Sequence, residues 1–187
     1  MTQDSFRNAM RRVAATVSVL STQRDDRRFG ITVSSVASLT MEPPTLCFGI
    51  HQASSFCEPL IETGWVCVNV LSREQEAVGR MFASAPAGEH RFRTGQWSEH
   101  EIEGQSSADA PPRLPRLLDA QANFACRLQR TIPHGTHLLC LAEVRHVAIC
   151  ERIEPLLYCD GAYHKLATGS REPASLRTCP IAQPRDP

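Results

Sequence analysis

Three short segments of the chain carry polar side chains in patterns suited to binding a phosphate or a heterocyclic ring. The first segment, residues 30–35, alternates apolar and hydroxyl residues, which predicts a strand with Thr32 and Ser34 on one face. Hydroxyl groups and the free N–H groups at the end of a strand are neutral partners for a phosphate or a ring edge. An ordinary half-exposed strand shows the same alternation, so the pattern alone leaves that interpretation open.

The other two segments each combine a turn with a histidine. Residues 51–55 connect a predicted strand to the start of a helix, where unpaired N–H groups favour an anion. Residues 135–137 read Gly-Thr-His and open a long predicted strand, and a His after a Gly turn can point into a cleft as a hydrogen-bond donor. A plain helix cap and a surface His are the simpler alternatives.

The elements that would position these segments are mostly strands. Apolar residues at Phe6, Met10 and Val13 predict a helix over residues 4–13. A second short helix is predicted from a cap at Ser54 or Ser55 to about residue 62, where Gly64 ends it, and a third follows the Ser72–Gln75 capping box. The charged residues 23–28 predict a hairpin turn. About seven strands are predicted, at residues 16–22, 29–39, 45–50, 65–71, 123–132, 136–150 and 156–158. Their irregular spacing, without βαβ alternation, indicates a mainly antiparallel β-barrel with short peripheral helices.

The composition argues against several classes of function. Lys and Arg together number 20, as do Asp and Glu, so the chain has no basic footprint for nucleic acid and no polybasic cluster for a membrane surface. No apolar run approaches a membrane span, and the N-terminus lacks a signal-peptide pattern, so we expect a cytoplasmic protein. The 8 cysteines form no CxxC pair, which favours reduced core residues over a zinc site.

The domain boundaries follow from two stretches without periodicity. Residues 84–116 are rich in Gly, Pro and Ser, which is typical of a functional loop or flexible segment. Residues 168–187 are polar and contain repeated prolines, so we expect a mobile C-terminal tail after one domain at 1–167. The sequence has no GxGxxG, GxxxxGK[ST], GxSxG or HExxH motif, which removes support for most nucleotide-binding, hydrolase and zinc-protease assignments.

Taken in order, several stretches resemble the flavin reductase family with the FMN-binding split-barrel fold, in particular its reductase components of 4-hydroxyphenylacetate 3-monooxygenase. The matches span about residues 5 to 166 and lie at 6–10, 30–35, 42–46, 68–72 with 75–76, 135–137, 142–144, 155–158 and 161–164. The chain departs from the family at Ala15-Thr16, where Thr-Gly is common, and at His51-Gln52-Ala53, where Asn-Arg-Ser is usual.

This resemblance implies a fold, a reaction and partners. The implied fold is a closed antiparallel split barrel that forms a homodimer, with the flavin in a groove at the subunit interface. The implied reaction is hydride transfer from NADH or NADPH to FMN or FAD, after which the reduced flavin leaves for a partner flavin-dependent monooxygenase. Alternatives are a flavin-dependent reductase of the corrinoid cob(II)yrinic acid a,c-diamide, a non-catalytic flavin- or haem-binding split-barrel protein, and an oxidative-stress protein that uses its cysteines.

The resemblance also assigns residues to the two ligands. It places Thr32, Val33, Ser34 and Ser35 against the flavin ring and ribityl chain, and His51, Gln52, Ser54 and Ser55 in the ribityl and phosphate region. His137 is the catalytic candidate near the nicotinamide, with Tyr163 as part of the same wall. Arg91 is a further candidate for a phosphate contact, outside this set. No metal site is expected.

Overall fold

The computed structural model describes residues 2–84, 86–100 and 113–166; the expected tail at 168–187 and part of the segment 84–116 lie outside these ranges. Three α-helices occur in the described chain: α1 (Gln3–Met10), α2 (Cys57–Thr63) and α3 (Glu76–Ala83), together with a 3-10 helix at Glu89–Arg93. The twelve strands found there are β1 (Ala15–Thr16), β2 (Ser18–Arg24), β3 (Arg27–Val33), β4 (Ala37–Met41), β5 (Pro44–His51), β6 (Trp65–Val70), β7 (Trp97–His100), β8 (Leu114–Leu117), β9 (Ala122–His134), β10 (His137–Ile149), β11 (Leu156–Cys159) and β12 (Ala162–Lys165).

These strands form three antiparallel sheets. The largest has seven strands in the order β3-β2-β6-β9-β10-β5-β4, the second has the order β1-β11-β12, and the third pairs β7 with β8. All seven predicted strands are present, although residues 17 and 34–36 divide two of them into β1–β2 and β3–β4. β7, β8 and β12 were not predicted. The mainly antiparallel β-architecture is confirmed.

The seven-stranded sheet curves around one apolar interior. Phe48 on β5, next to one edge of the sheet, and Ile31 on β3, the other edge, pack into the same buried cluster with Leu20 and Val68. The connection between β3 and β4 adds a direct link, because the Ser35 hydroxyl donates to the Gly49 carbonyl and accepts from the Gly49 N–H on β5. Contact across the two edges is the arrangement that a split barrel requires.

A second apolar layer covers the outside of the sheet next to β3. Val19 on β2 points outward and packs with Val78 and Phe82 of α3, whereas its neighbour Leu20 points into the barrel. The period of two along a strand explains this division, and it leaves β2 buried on both faces. Helix α3 is therefore fixed against the β2–β3 edge by core packing.

A buried polar network attaches β8 to the barrel. The Asn69 side-chain amide donates to Val19 O and Ser21 Oγ, and its oxygen accepts from the Leu117 N–H and from Asn123 Nδ2, each at 2.9 Å. Buried amides are tolerated when their donors and acceptors are satisfied in this way. The network joins β2, β6, β8 and β9 at one point. Because hydrogen bonds are directional, it specifies the relative positions of these strands, which apolar side chains alone would not do.

The cysteines described by the structure contribute mainly to the core. Cys57, Cys67, Cys126 and Cys140 are buried, and Cys47, Cys150 and Cys159 are partly exposed. Burial raises the pKa of Cys67 to about 12 and that of Cys140 to about 11, so both remain neutral thiols at physiological pH. Among the described residues there is no group of three or more potential metal ligands. None of the described helices has the length and apolar character needed to cross a membrane.

Candidate functional site

The outer edge of β3 presents backbone groups next to the first predicted segment. The Arg28 N–H donates to the Glu89 carboxylate and the Gly30 carbonyl accepts from Arg91, so the backbone groups of both residues point away from β2. Because such groups alternate along an antiparallel strand, the N–H and C=O of Thr32 point to the same outer edge. The strand ends at Val33, so this edge leads directly to Ser34 and Ser35.

Three of the predicted flavin residues lie together in a pocket at the end of β3. Thr32, Val33 and Ser34 line a cavity of about 150 Å³ together with Tyr163, Tyr158, Val17 and Ala83. The Thr32 hydroxyl donates to the Gly79 carbonyl of α3 at 2.8 Å. Its donor is therefore used within the fold, and at this position the backbone carries the binding capacity.

Tyr163 occupies a different place from the one expected. Its ring is edge-on to Tyr158 at 5.4 Å and lies 4.7 Å from the Arg80 guanidinium, and burial raises its pKa, so it is a neutral phenol. The prediction grouped Tyr163 with His137, but its contacts place it beside Thr32 and Ser34. Tyr163 is thus part of the wall at the β3 end.

The second and third predicted segments form one cluster. His51 at the end of β5 is opposite His137 at the start of β10, and their rings meet edge to face with centroids 5.0 Å apart. The Gln52 side-chain amide donates to the carbonyls of Gly135 and His137 at 3.1 and 3.2 Å. The Gln52 N–H also donates to the Thr136 carbonyl at 2.9 Å. Gln52 therefore fastens the loop at 51–55 to the turn at 134–137.

Hydrogen bonds set the orientation of both imidazole rings. The Ala53 N–H donates to His51 Nδ1 at 3.1 Å, so the neutral His51 ring carries its proton on Nε2 and is a donor there. His137 Nδ1 lies 2.9 Å from the Thr136 hydroxyl. Gly135 has a φ of +55°, in the left-handed region that favours glycine, which explains a Gly in this tight turn. The cluster therefore presents two oriented imidazole rings on exposed residues.

Neither Ser54 nor Ser55 is the N-cap of helix α2. Helix α2 begins at Cys57 with Phe56 at its N-cap and has no side-chain cap, whereas the Ser54 hydroxyl accepts from the Phe56 N–H at 3.2 Å. Ser55 is exposed and lines a cavity of about 120 Å³ with Arg27, Phe29 and Gly88, among others. The two serines therefore contact different surroundings.

Arg91 is a structural residue. It is buried, and its guanidinium donates to the backbone carbonyls of Gly30, Phe82, Ser84 and Pro86. Burial also lowers its pKa. These carbonyls occupy the donors that a phosphate would need, so Arg91 instead joins the β3 edge to the end of α3.

A cavity that the sequence did not predict adjoins the β3 end. Its volume is about 650 Å³, and its walls include Arg7 and Met10 of α1, Tyr158 of β11, and Ser34 and Ser35. The apolar face of α1 was the available signal, but nothing in the sequence placed that helix next to residues 34–35. The candidate site therefore has three neighbouring parts: the β3 end, the histidine cluster and this α1 cavity.

The residues at the β3 end fit a flavin. A flavin ring needs hydrogen-bond partners for its polar edge and apolar or aromatic surface for its faces. The outer-edge backbone of Thr32 and the Ser34 hydroxyl provide the former, and Tyr158 and Tyr163 provide the latter. An antiparallel barrel with such an edge is therefore compatible with the flavin-binding class of protein that the resemblance implies.

Comparison with protein families gives the same class independently. The flavin reductase like domain matches residues 10–167, and the chain belongs to this family. The chain is 33% identical over 162 residues to the FMN reductase (NADH) RutF of Variovorax paradoxus, covering 87% of this chain and 84% of that protein. It is 34% identical over 161 residues to the reductase component of the FADH(2)-dependent resorcinol hydroxylase of a Rhizobium strain, covering 85% of this chain and 84% of that protein.

Solved structures show the same fold. The flavin reductase PheA2 in its native state superimposes with a TM-score of 0.75 at 27% identity, covering 90% of this chain and all of that one. The split-barrel expectation is thereby confirmed.

Proposed function

We propose that the protein is an NAD(P)H-dependent flavin reductase that reduces FMN or FAD by hydride transfer. The observation that carries this proposal is the open edge of β3, where Thr32, Ser34 and Tyr163 meet in a chain of the flavin reductase family. When a reduced nicotinamide and an oxidised flavin are bound together, the two cofactors supply the hydride chemistry themselves. The protein binds and aligns the two rings, and such positioning can supply much of the rate.

The residues divide this work between them. The Thr32 backbone and the Ser34 and Ser35 hydroxyls bind the flavin, with Val33 and Tyr163 as the adjoining wall. His137, oriented by Thr136 and fastened by Gln52, lies on the nicotinamide side. His51, Ser54 and Ser55 border the ribityl and phosphate region. The chain needs no side-chain nucleophile for this reaction.

The reduced flavin is proposed to serve a partner flavin-dependent monooxygenase. The relative from Rhizobium is named as the reductase component of a resorcinol hydroxylase, and the chain matches 84% of its length. We place the protein in the cytoplasm, where soluble nicotinamide nucleotides are available.

A second copy of the chain is proposed to complete the groove. Phe48 and Cys140 point into the barrel, so their neighbours Cys47, Gly49 and Leu139 point outward on β5 and β10. Leu139 is 41% exposed, so the described residues leave part of this sheet face uncovered. Ser35 contacts Gly49, and His51 and His137 end the same strand pair, so the face borders the site. A homodimer through this face would cover it by isologous contact.

The activity is tested by mixing the purified protein with NADH or NADPH and with FMN or FAD. We expect oxidation of the nicotinamide faster than with free flavin alone. Stopped-flow mixing distinguishes a catalyst, which bleaches the flavin in seconds, from a storage protein, whose flavin stays oxidised. A rate equal to the protein-free control in every pairing would overturn the proposal. Light scattering tests the dimer, which requires twice the 20.7 kDa of one chain.

A further inference from the structure

The cavity beside α1 is large enough for half of a dinucleotide. Its volume of about 650 Å³ lies within the roughly 300–1,000 Å³ of small-molecule sites. This cavity and the pocket at the β3 end share Ser34 and Tyr158 as wall residues. A ligand whose reacting ring lies at the β3 end can therefore extend along α1.

The two arginines in the cavity wall, Arg11 and Arg7, differ in how firmly the fold engages their guanidinium groups. Arg11 donates from Nε to the Asp160 carboxylate at 3.1 Å and from Nη2 to the Asp160 carbonyl at 3.2 Å, which fixes α1 to the β11–β12 turn. Arg7 pairs with Asp4 at 3.1 Å, but the two side chains are 70% and 81% exposed. Such exposed ion pairs contribute little and exchange readily. Arg7 is thus the cation of this cavity that is available to a ligand anion.

The rest of the wall favours a planar base. Met10, Val13 and Ala15 form an apolar strip, and Tyr158 adds an aromatic ring that is 38% exposed. Among the lining residues, Asp160 is the one that carries a carboxylate, and Arg11 forms an ion pair with it. A cation next to an apolar and aromatic surface suits a phosphate attached to a purine nucleoside.

We propose that the α1 cavity binds the adenylate half of a dinucleotide, with Arg7 at its phosphate and the Met10–Tyr158 wall at its purine. The assignment rests on the proposed function, because both NAD(P)H and FAD carry this half beyond the ring that reacts. Arg7 is then a specificity residue, which separates dinucleotides from their mononucleotide counterparts.

The direct test uses AMP itself as the probe. Calorimetric titration compares the wild type with Arg7→Gln and with a matched control, Arg12→Gln, which removes an equal charge from an exposed residue outside the cavity wall. Loss of a charge-assisted hydrogen bond predicts an AMP Kd that is about tenfold higher in Arg7→Gln. Arg12→Gln should bind AMP like the wild type. Equal AMP binding by the two variants, or no binding by the wild type, would overturn the proposal.

Two kinetic arms identify which dinucleotide supplies the adenylate. If it is the nicotinamide donor, Arg7→Gln raises the KM for NADH with FMN as acceptor and leaves the KM for reduced nicotinamide mononucleotide unchanged. If it is the flavin, Arg7→Gln lowers the affinity for FAD and leaves that for FMN unchanged. A wild-type protein that oxidises no nicotinamide refutes the proposed function instead, and the AMP titration still decides the cavity assignment.

Discussion

The two flanks of the proposed flavin site are supported in different ways. On the β3 flank, Thr32 and Tyr163 are half-buried and rest on α3, which is itself fixed by the outer apolar layer. On the histidine flank, His51, Gln52 and His137 are exposed and depend on hydrogen bonds between a loop and a turn. On the first flank, changes to side chains that rest on α3 should therefore affect stability, and changes at the exposed end of β3 should affect flavin binding. Changes on the second should affect ligand kinetics while the fold stays intact.

Gly30 should show the largest effect, because β3 lies directly against the Phe82 ring of α3 at this position. A Cβ at this position would lie 2.6 Å from Phe82 Cε1, and Phe82 is fully buried, so the ring has no free space to move into. Gly30→Ala should lower the free energy of unfolding by about 1–3 kcal/mol, the usual cost of overpacking. Denaturant unfolding measures this difference. Wild-type stability in Gly30→Ala would show that the α3 flank is compliant, contrary to the comparison.

Ser34 and His137 test the division between the two flanks at the level of ligands. Ser34→Ala removes a hydroxyl at the β3 end and should weaken flavin binding by a few-fold to about tenfold, the value of one hydrogen bond of about 0.5–1.5 kcal/mol. His137→Ala should leave flavin affinity nearly intact and instead raise the KM for NAD(P)H or slow hydride transfer. Flavin titration and transient reduction kinetics measure both quantities.

The two variants serve as controls for each other. If His137→Ala weakens flavin binding as much as Ser34→Ala does and leaves NAD(P)H kinetics unchanged, the assignment of the two flanks is wrong. Ser34 and His137 are exposed and lie outside the core, so neither substitution should change the unfolding midpoint, which should be recorded in parallel.

Local sequence signals predicted the parts of the fold that depend on neighbouring residues. The charged turn at 23–28 is a hairpin, with Arg24 opposite Arg27, and Gly64 ends α2 in the left-handed conformation. Such features follow from turn chemistry and hydrophobic period alone. β12 is short and follows a two-residue turn, and β8 contains Pro115, so their patterns gave too weak a strand signal.

The assembly of the site was harder to predict, because it depends on register between distant strands. His51 and His137 are 86 positions apart and meet only because β5 pairs with β10. The sequence did not place Tyr163 beside Thr32, because its location depends on β12 and on packing against Gly79 of α3. The family resemblance named all three residues, but only the folded chain decides which residues share a wall.

Thr32 tests whether the hydroxyl of the β3 flank belongs to the fold or to the flavin. Thr32→Val keeps the side-chain shape and removes the bond to the Gly79 carbonyl, so stability should fall by about 0.5–1 kcal/mol. Flavin affinity should change by less than about twofold, since the outward backbone groups remain. Thr32→Ser, which keeps the donor, should retain most of the stability. A large loss of flavin affinity in Thr32→Val alone would show that the hydroxyl contacts the ligand.

Gln52 should show the smallest effect, confined to the histidine flank. Gln52→Ala removes two exposed side-chain hydrogen bonds to the turn at 135–137 but keeps the backbone bond to Thr136. The turn then positions His137 less tightly, and we expect the KM for NAD(P)H to rise about two- to threefold, with no change in the unfolding midpoint. Gln129→Ala is the matched control, because Gln129 is also exposed and its amide bonds Glu143, away from the turn. If Gln52→Ala instead weakens flavin binding while NAD(P)H kinetics match those of Gln129→Ala, Gln52 contacts the flavin, as the family resemblance implies, and is not a positioning residue for His137.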